Sequence, residues 1–182
     1  LGTANVVKYI KVKLTDKYPN IVSGNEVNEW IYQSGLPVAA PQPTSDAFSK
    51  IDTQIADLLN EKLQLAQLDT SKWTLHEWLH FINNLPHDFD TKRMVDLDNT
   101  FDLTISTNAE IAHAWYLLSI RTGYKDVYPA MAKYLESIGR RKLIVPLYKE
   151  LALTPEGKSW AEKVYDRARP GYHGLAQSLH LC

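Results

Sequence analysis

Asn108-Ala109-Glu110-Ile111-Ala112-His113-Ala114-Trp115-Tyr116-Leu117-Leu118-Ser119-Ile120-Arg121-Thr122-Gly123 reads as one helix with both ends marked. Asn108, or Ser106 just before it, offers a side-chain acceptor for the unpaired amides of a first turn. Ile111, Trp115 and Leu118 fall on one face at helical spacing, and Gly123 supplies the stop. No strand-like alternation runs through the stretch.

The same grammar continues on both sides. Val127, Met131, Tyr134, Leu135 and Ile138 mark the next helix, closed by Gly139; Leu143, Leu147 and Leu151 mark the one after. Thr154-Pro155 is a cap followed by proline at the first helical position, opening a helix through Trp160, Val164 and Ala168. Upstream, Thr74 and Glu77 make a capping box before Leu75, Trp78, Leu79 and Ile82, and a further helix runs from Asp90 towards Thr100. Thr44 or Ser45 opens a helix striped by Phe48, Ile51, Ile55 and Leu58 or Leu59. Ser23 and Glu26 box a short helix carrying Val27, Trp30 and Ile31, while Val6, Ile10 and Leu14 share one face of the first helix. Trp30, Trp78, Trp115 and Trp160 are expected to be mostly buried. Residues 36–43, with three prolines and no charge, read as a linker.

From Asn108 onward a new helix begins roughly every 15 residues, so the links are short and neighbours run antiparallel. The period supports stacked helix pairs, with a closed bundle as the competitor.

Composition narrows the function. The 182 residues carry 20 Lys and Arg against 21 Asp and Glu, a net charge of −1 that speaks against bulk attraction to nucleic acid or anionic membrane. Five tryptophans and 45% hydrophobic residues exclude wholesale disorder. No apolar run is long enough for a transmembrane helix. Cys182, the one cysteine, allows neither an intrachain disulfide nor a thiolate zinc cluster. The start at Leu1 lacks methionine and a basic leader, so the chain is expected to derive from something longer.

His76-Glu77-Trp78-Leu79-His80 matches the H-E-x-x-H zinc pattern. A His₂Glu centre needs a further carboxylate, yet no glutamate occurs between Glu77 and Glu110. Glu77 is also already assigned to the helix cap. The match is therefore expected to be a coincidence, with no metal held by this chain.

Gly139-Arg140-Arg141-Lys142 is the other polar cluster of interest. Cations at a helix start oppose its dipole, so capping does not explain them. A solvated turn or an interdomain salt bridge is one reading; a carboxylate site, with an arginine fork and a lysine point charge, is the other.

Trp30-Ile31-Tyr32-Gln33-Ser34-Gly35-Leu36-Pro37, Lys92-Arg93-Met94, Asn108-Ala109-Glu110-Ile111, and Gly139-Arg140-Arg141-Lys142 through Pro146-Leu147-Tyr148-Lys149 together resemble the carboxy-terminal domain of leukotriene A4 hydrolase and its aminopeptidase relatives. The resemblance runs from about Glu29 to Tyr172. It implies an all-α, armadillo-like right-handed helical superhelix over residues 23–182, with residues 1–22 as the end of a preceding catalytic domain or its connection. It implies zinc in that catalytic domain and none here. The family's arginine and lysine for a substrate carboxylate fall on Arg140 and Lys142, with no catalytic residue in this chain. The expected partners are the preceding catalytic and amino-terminal domains of the same polypeptide and short peptide substrates, without nucleic acid or membrane, in the cytoplasm. A helical solenoid that binds a protein partner is the alternative function.

Overall fold

The computed structural model describes residues 2–21, 23–38, 40 and 45–177. Thr44, Pro41, Pro43 and Cys182 lie outside the described residues. The chain forms two compact units, residues 1–45 and 46–182, which part beside the proline-rich segment.

In the first unit, α1 (Thr3–Ile10) runs on through a π-helical turn at Lys11–Thr15. Of the expected stripe, Ile10 is half-buried, while Val6 and Leu14 are exposed. Ser23 and Glu26 form the expected reciprocal cap on α2 (Gly24–Tyr32), with contacts of 2.8 and 3.2 Å. Trp30 corrects the sequence reading: it is 54% exposed. On α2, Val27 is buried and Ile31 half-buried at i, i+4 spacing, and Trp30 lies off that stripe.

The second unit contains α3 (Ala47–Leu59), α4 (Leu75–Asn83), α5 (Thr91–Phe101), α6 (Ala109–Thr122), α7 (Tyr128–Ser137), α8 (Arg141–Leu151), α9 (Pro155–Ala168) and the short α10 (Gly174–Gln177). There is no strand among the described residues. Helices two apart touch: α4 packs on α6 and α6 on α8, while α7 packs on α9. Consecutive helices α3 and α4, and α8 and α9, also touch. Contacts that skip one helix, through α4, α6 and α8 and through α7 and α9, stack the helices in two layers, the armadillo-like α-α superhelix. No described helix is long and apolar enough to cross a membrane.

Several boundaries have a local cause. Thr74 and Glu77 close a capping box on α4, Asn108 caps α6, and the Thr154 hydroxyl accepts the Gly157 amide at 3.0 Å to start α9. Gly123 ends α6 with φ +74°, a conformation that glycine adopts without a β-carbon clash.

The core runs through Phe81, Met94, Leu97, Trp115, Met131, Leu135, Ile144, Leu147, Tyr148 and Leu151, all fully buried. Trp115 is enclosed as expected, and its indole N–H donates to the Thr104 hydroxyl at 2.9 Å. Trp78 and Trp160 are only half-buried, packed against the core by their ring edges and neighbours Trp73 and Tyr128. Phe48 is a second correction: it is 47% exposed and leaves the α3 stripe to Ile51, Ile55 and Leu58.

Candidate functional site

Three helix ends build one polar corner. The loop after α7 delivers Arg140 as the residue flanking α8 and Lys142 within its first turn. Asn108 Oδ1 accepts the amides of Glu110 and Ile111 at 3.0 and 3.3 Å, which fixes the first turn of α6 and places the Glu110 side chain. Glu110 then meets both cations. Its Oε1 accepts from Arg140 Nη1 at 3.1 Å, and Lys142 Nζ donates to Oε1 and Oε2 at 3.3 and 3.2 Å. Packing of α6 against α8 brings these residues, some thirty positions apart in the chain, into contact.

Exposure divides the three. The side chains of Arg140 and Lys142 are 64% and 67% exposed, whereas Glu110 is 24% exposed. The carboxylate is thus the anchored member and the two cations reach past it towards solvent. Arg140 engages Glu110 through one terminal nitrogen, so the fork geometry that suits a second carboxylate is not consumed. Arg141 turns away, donating to the Leu175 carbonyl at 3.4 Å.

His113, one turn along α6 from Glu110, tightens the same corner. Its Nδ1 lies 2.7 Å from the Leu143 carbonyl oxygen, and because a carbonyl only accepts, Nδ1 carries the proton. Burial pushes the imidazole below its usual value, opposed by the Leu143 hydrogen bond and by Glu110, and aided by Lys142. Three residues further along α8, Pro146 has no N–H for the Lys142 carbonyl, so the first turns of α8 lack one internal hydrogen bond. The ring of His113 holds that opened start in place from α6.

Tyr134 supports the α6 side by donating to the Ala109 carbonyl at 2.9 Å. Burial raises the phenols of Tyr134 and Tyr116, the latter to about 12, so both remain neutral donors.

The H-E-x-x-H residues have other occupations. Glu77 receives the Thr74 amide at 2.8 Å and its hydroxyl at 2.7 Å, contacts that hold its carboxyl below the usual range. His80 Nε2 meets Asp52 at 2.7 Å, and the ring stacks on Phe48 with centroids 4.3 Å apart. Among the described residues, no group of three His, Cys, Asp or Glu side chains is arranged to hold a metal ion. Glu77 and His80 of the pattern are thus engaged with side chains and backbone around them.

Sequence reading singled out Arg140 and Lys142, and did not single out Glu110, which contacts both, or His113 one turn along. Glu110 sat in the first turn of a capped helix, where the dipole already accounts for an acid. The available signal was its place in Asn108-Ala109-Glu110-Ile111, one of the segments carrying the family resemblance.

These helix ends belong to a two-layer helical domain without a metal-binding group among its described residues. A family model described as leukotriene A4 hydrolase, C-terminal, matches residues 73–179, more than half of the chain. The chain belongs to that family of carboxy-terminal domains. It is 24% identical to leucine aminopeptidase 2-1 of Meyerozyma guilliermondii over 89% of this chain and 28% of that protein. It is 28% identical to leucine aminopeptidase 2 of Neurospora crassa over 81% of this chain and 22% of that protein. The chain thus spans roughly a quarter of the length of these relatives. Two solved structures of leukotriene A4 hydrolase from yeast, the second specified as Saccharomyces cerevisiae, share its fold. Their TM-scores are 0.59 and 0.60 at 19% and 17% identity, covering 91% and 93% of this chain and 30% and 31% of those.

Proposed function

We propose that this chain is the non-catalytic carboxy-terminal domain of a zinc aminopeptidase, closing one side of the active-site cleft and holding the carboxylate of a short peptide through Arg140 and Lys142. The observation that carries this reading is the convergence of two exposed cations on one carboxylate at the start of α8. A corner that already seats a carboxylate has the charge and donor geometry for another. Residues 1–22 belong, on this reading, to the end of the preceding catalytic domain or its connection. Zinc belongs to that catalytic domain and supplies the activation of water there. Arg140 and Lys142 act at the opposite end of the peptide, fixing how far its amino end reaches and so gauging substrate length. The curated relatives are named leucine aminopeptidases, which supports peptides as the substrate class.

The test uses the full-length enzyme with tripeptides and their carboxyl-terminal amides. Wild type is expected to prefer the free acids, and Arg140→Ala to lose much of that preference, with kcat/KM for free tripeptides falling sharply. Lys142→Ala acts in the same direction less severely, a point charge giving less orientational control than a fork. Equal losses on acids and amides would point to damaged packing and remove both residues from the substrate site.

A further inference from the structure

The corner contains a carboxylate of its own, and its geometry has a consequence for any carboxylate that arrives from outside. Glu110 is anchored by its capped helix turn and touches both cations. Yet its contacts, 3.1 and 3.2 Å at their shortest, are the longest Lys or Arg ion pairs among the described residues. Arg167–Glu136 and Lys125–Glu156 close to 2.8 and 2.7 Å, within the range usual for charge-assisted hydrogen bonds. Arg121–Glu150 and Arg93–Glu61 measure 3.0 and 2.9 Å. Glu110 therefore neutralises half the positive charge of the pair.

We infer that Glu110 is a specificity-determining residue, a built-in competitor that weakens the grip of Arg140 and Lys142 on the free carboxylate of a peptide. This rests on the carboxylate-holding reading above. With Glu110 ionised the corner offers an arriving carboxylate one net positive charge; without it, two. The ligand's carboxylate also competes with Glu110 for Lys142 Nζ, which both Glu110 oxygens already engage. The chemistry of the reaction gives such weakening a purpose. Removal of an amino-terminal residue leaves a shorter peptide with the same free carboxyl end as the substrate. A corner that held this group with undiminished charge would retain its product. Glu110 sets a grip firm enough to orient and loose enough to release.

His113 does not provide this effect. Its Nδ1 is committed to the Leu143 carbonyl, and burial disfavours its cation. Arg141 points to Leu175 and adds no contact to Glu110.

The experiment compares wild type, Glu110→Gln, Arg140→Ala and the Arg140→Ala/Glu110→Gln pair in the full-length enzyme. Glutamine keeps the shape and one acceptor oxygen while removing the charge. KM for a free tripeptide is expected to fall about three- to tenfold in Glu110→Gln, the scale of one charge removed about 6 Å away at a partly solvated site. The inhibition constant of the free dipeptide product falls in parallel. KM for the tripeptide amide stays unchanged, and the gain disappears when Arg140 is also alanine. Raised salt narrows the difference between wild type and Glu110→Gln. A gain of affinity separates this role from a structural one, because loosened packing does not tighten binding. An unchanged or raised KM for the free tripeptide in Glu110→Gln, with Arg140→Ala still losing acid preference, overturns the competitor role and leaves the carboxylate site standing. Full acid preference in Arg140→Ala overturns both.

Discussion

The phenols of Tyr148 and Tyr172 meet at 3.0 Å inside the core. Tyr172 donates onward to the Leu135 carbonyl at 2.6 Å, so Tyr148 is the donor between the two rings. Leu135 stands in the last turn of α7, where a helix leaves its carbonyls without internal partners. The chain of hydroxyls thus closes the end of α7 from α8 and from the turn that follows α9. Tyr172→Phe leaves a buried carbonyl and a buried hydroxyl unpaired and is expected to cost about 1–3 kcal/mol. Urea unfolding followed by far-UV circular dichroism measures it; a loss below about 0.5 kcal/mol would show that water replaces the hydroxyl.

A β-carbon on Gly157 would run into the carbonyl oxygen of Leu151 and approach the Thr154 hydroxyl to 2.8 Å. The close approach of α9 to the end of α8 depends on hydrogen at this position, not on an unusual backbone angle. Gly157→Ala is expected to destabilise the chain by about 1–3 kcal/mol through forced displacement. Gly171→Ala, where the added carbon meets nothing within 4 Å, is the control and should stay within about 1 kcal/mol of wild type. Equal melting temperatures for the two variants would contradict this account.

His113 gives the stability a pH dependence whose sign follows from its environment. Its folded value lies below 6.5 because burial disfavours the cation. Above the unfolded value both states are neutral and the contribution is fully present. As pH falls below 6.5 towards the folded value, the unfolded chain takes up the proton first and stability is lost. His113→Gln should therefore lose less stability than wild type between pH 7 and pH 5, although it starts lower at pH 7. Parallel stability curves for the two proteins would sink the assignment.

Purified chain dialysed against zinc is expected to retain no stoichiometric metal, since Glu77 serves its cap and His80 meets Asp52. His76→Ala should leave any residual zinc content unchanged. Tight zinc that disappears in His76→Ala would reinstate the H-E-x-x-H reading.

Local rules carried the sequence reading far. Each cap is a statement about residues three apart, and Ser23 with Glu26, Thr74 with Glu77 and Thr154 with Gly157 all form as such pairs. The stripes of Leu143, Leu147 and Leu151, and of Met131 and Leu135, are buried because helical period decides which face a core takes. What escaped is set by packing between distant segments. Trp30 carries a large apolar ring yet stays exposed, while Val27 of the same helix is buried. The Phe48–His80 stack joins residues from two helices, as does the Glu110 corner, and no spacing rule announces either. Thr104 similarly gathers Asp98, Trp115 and Tyr116 around its hydroxyl and backbone, a network invisible in any one helix.

Because helices two apart touch in α4, α6 and α8, opening of the fold need not occur all at once. α6 is flanked by a stacked helix on each side, whereas α3 and α10 lie towards the ends of the second unit. Its amides can exchange with solvent only after a neighbour has loosened, while those of the outer helices exchange by fraying from their own side. Deuterium should enter as two fronts advancing from opposite ends of the second unit, with Trp115 and Leu118 among the last amides reached.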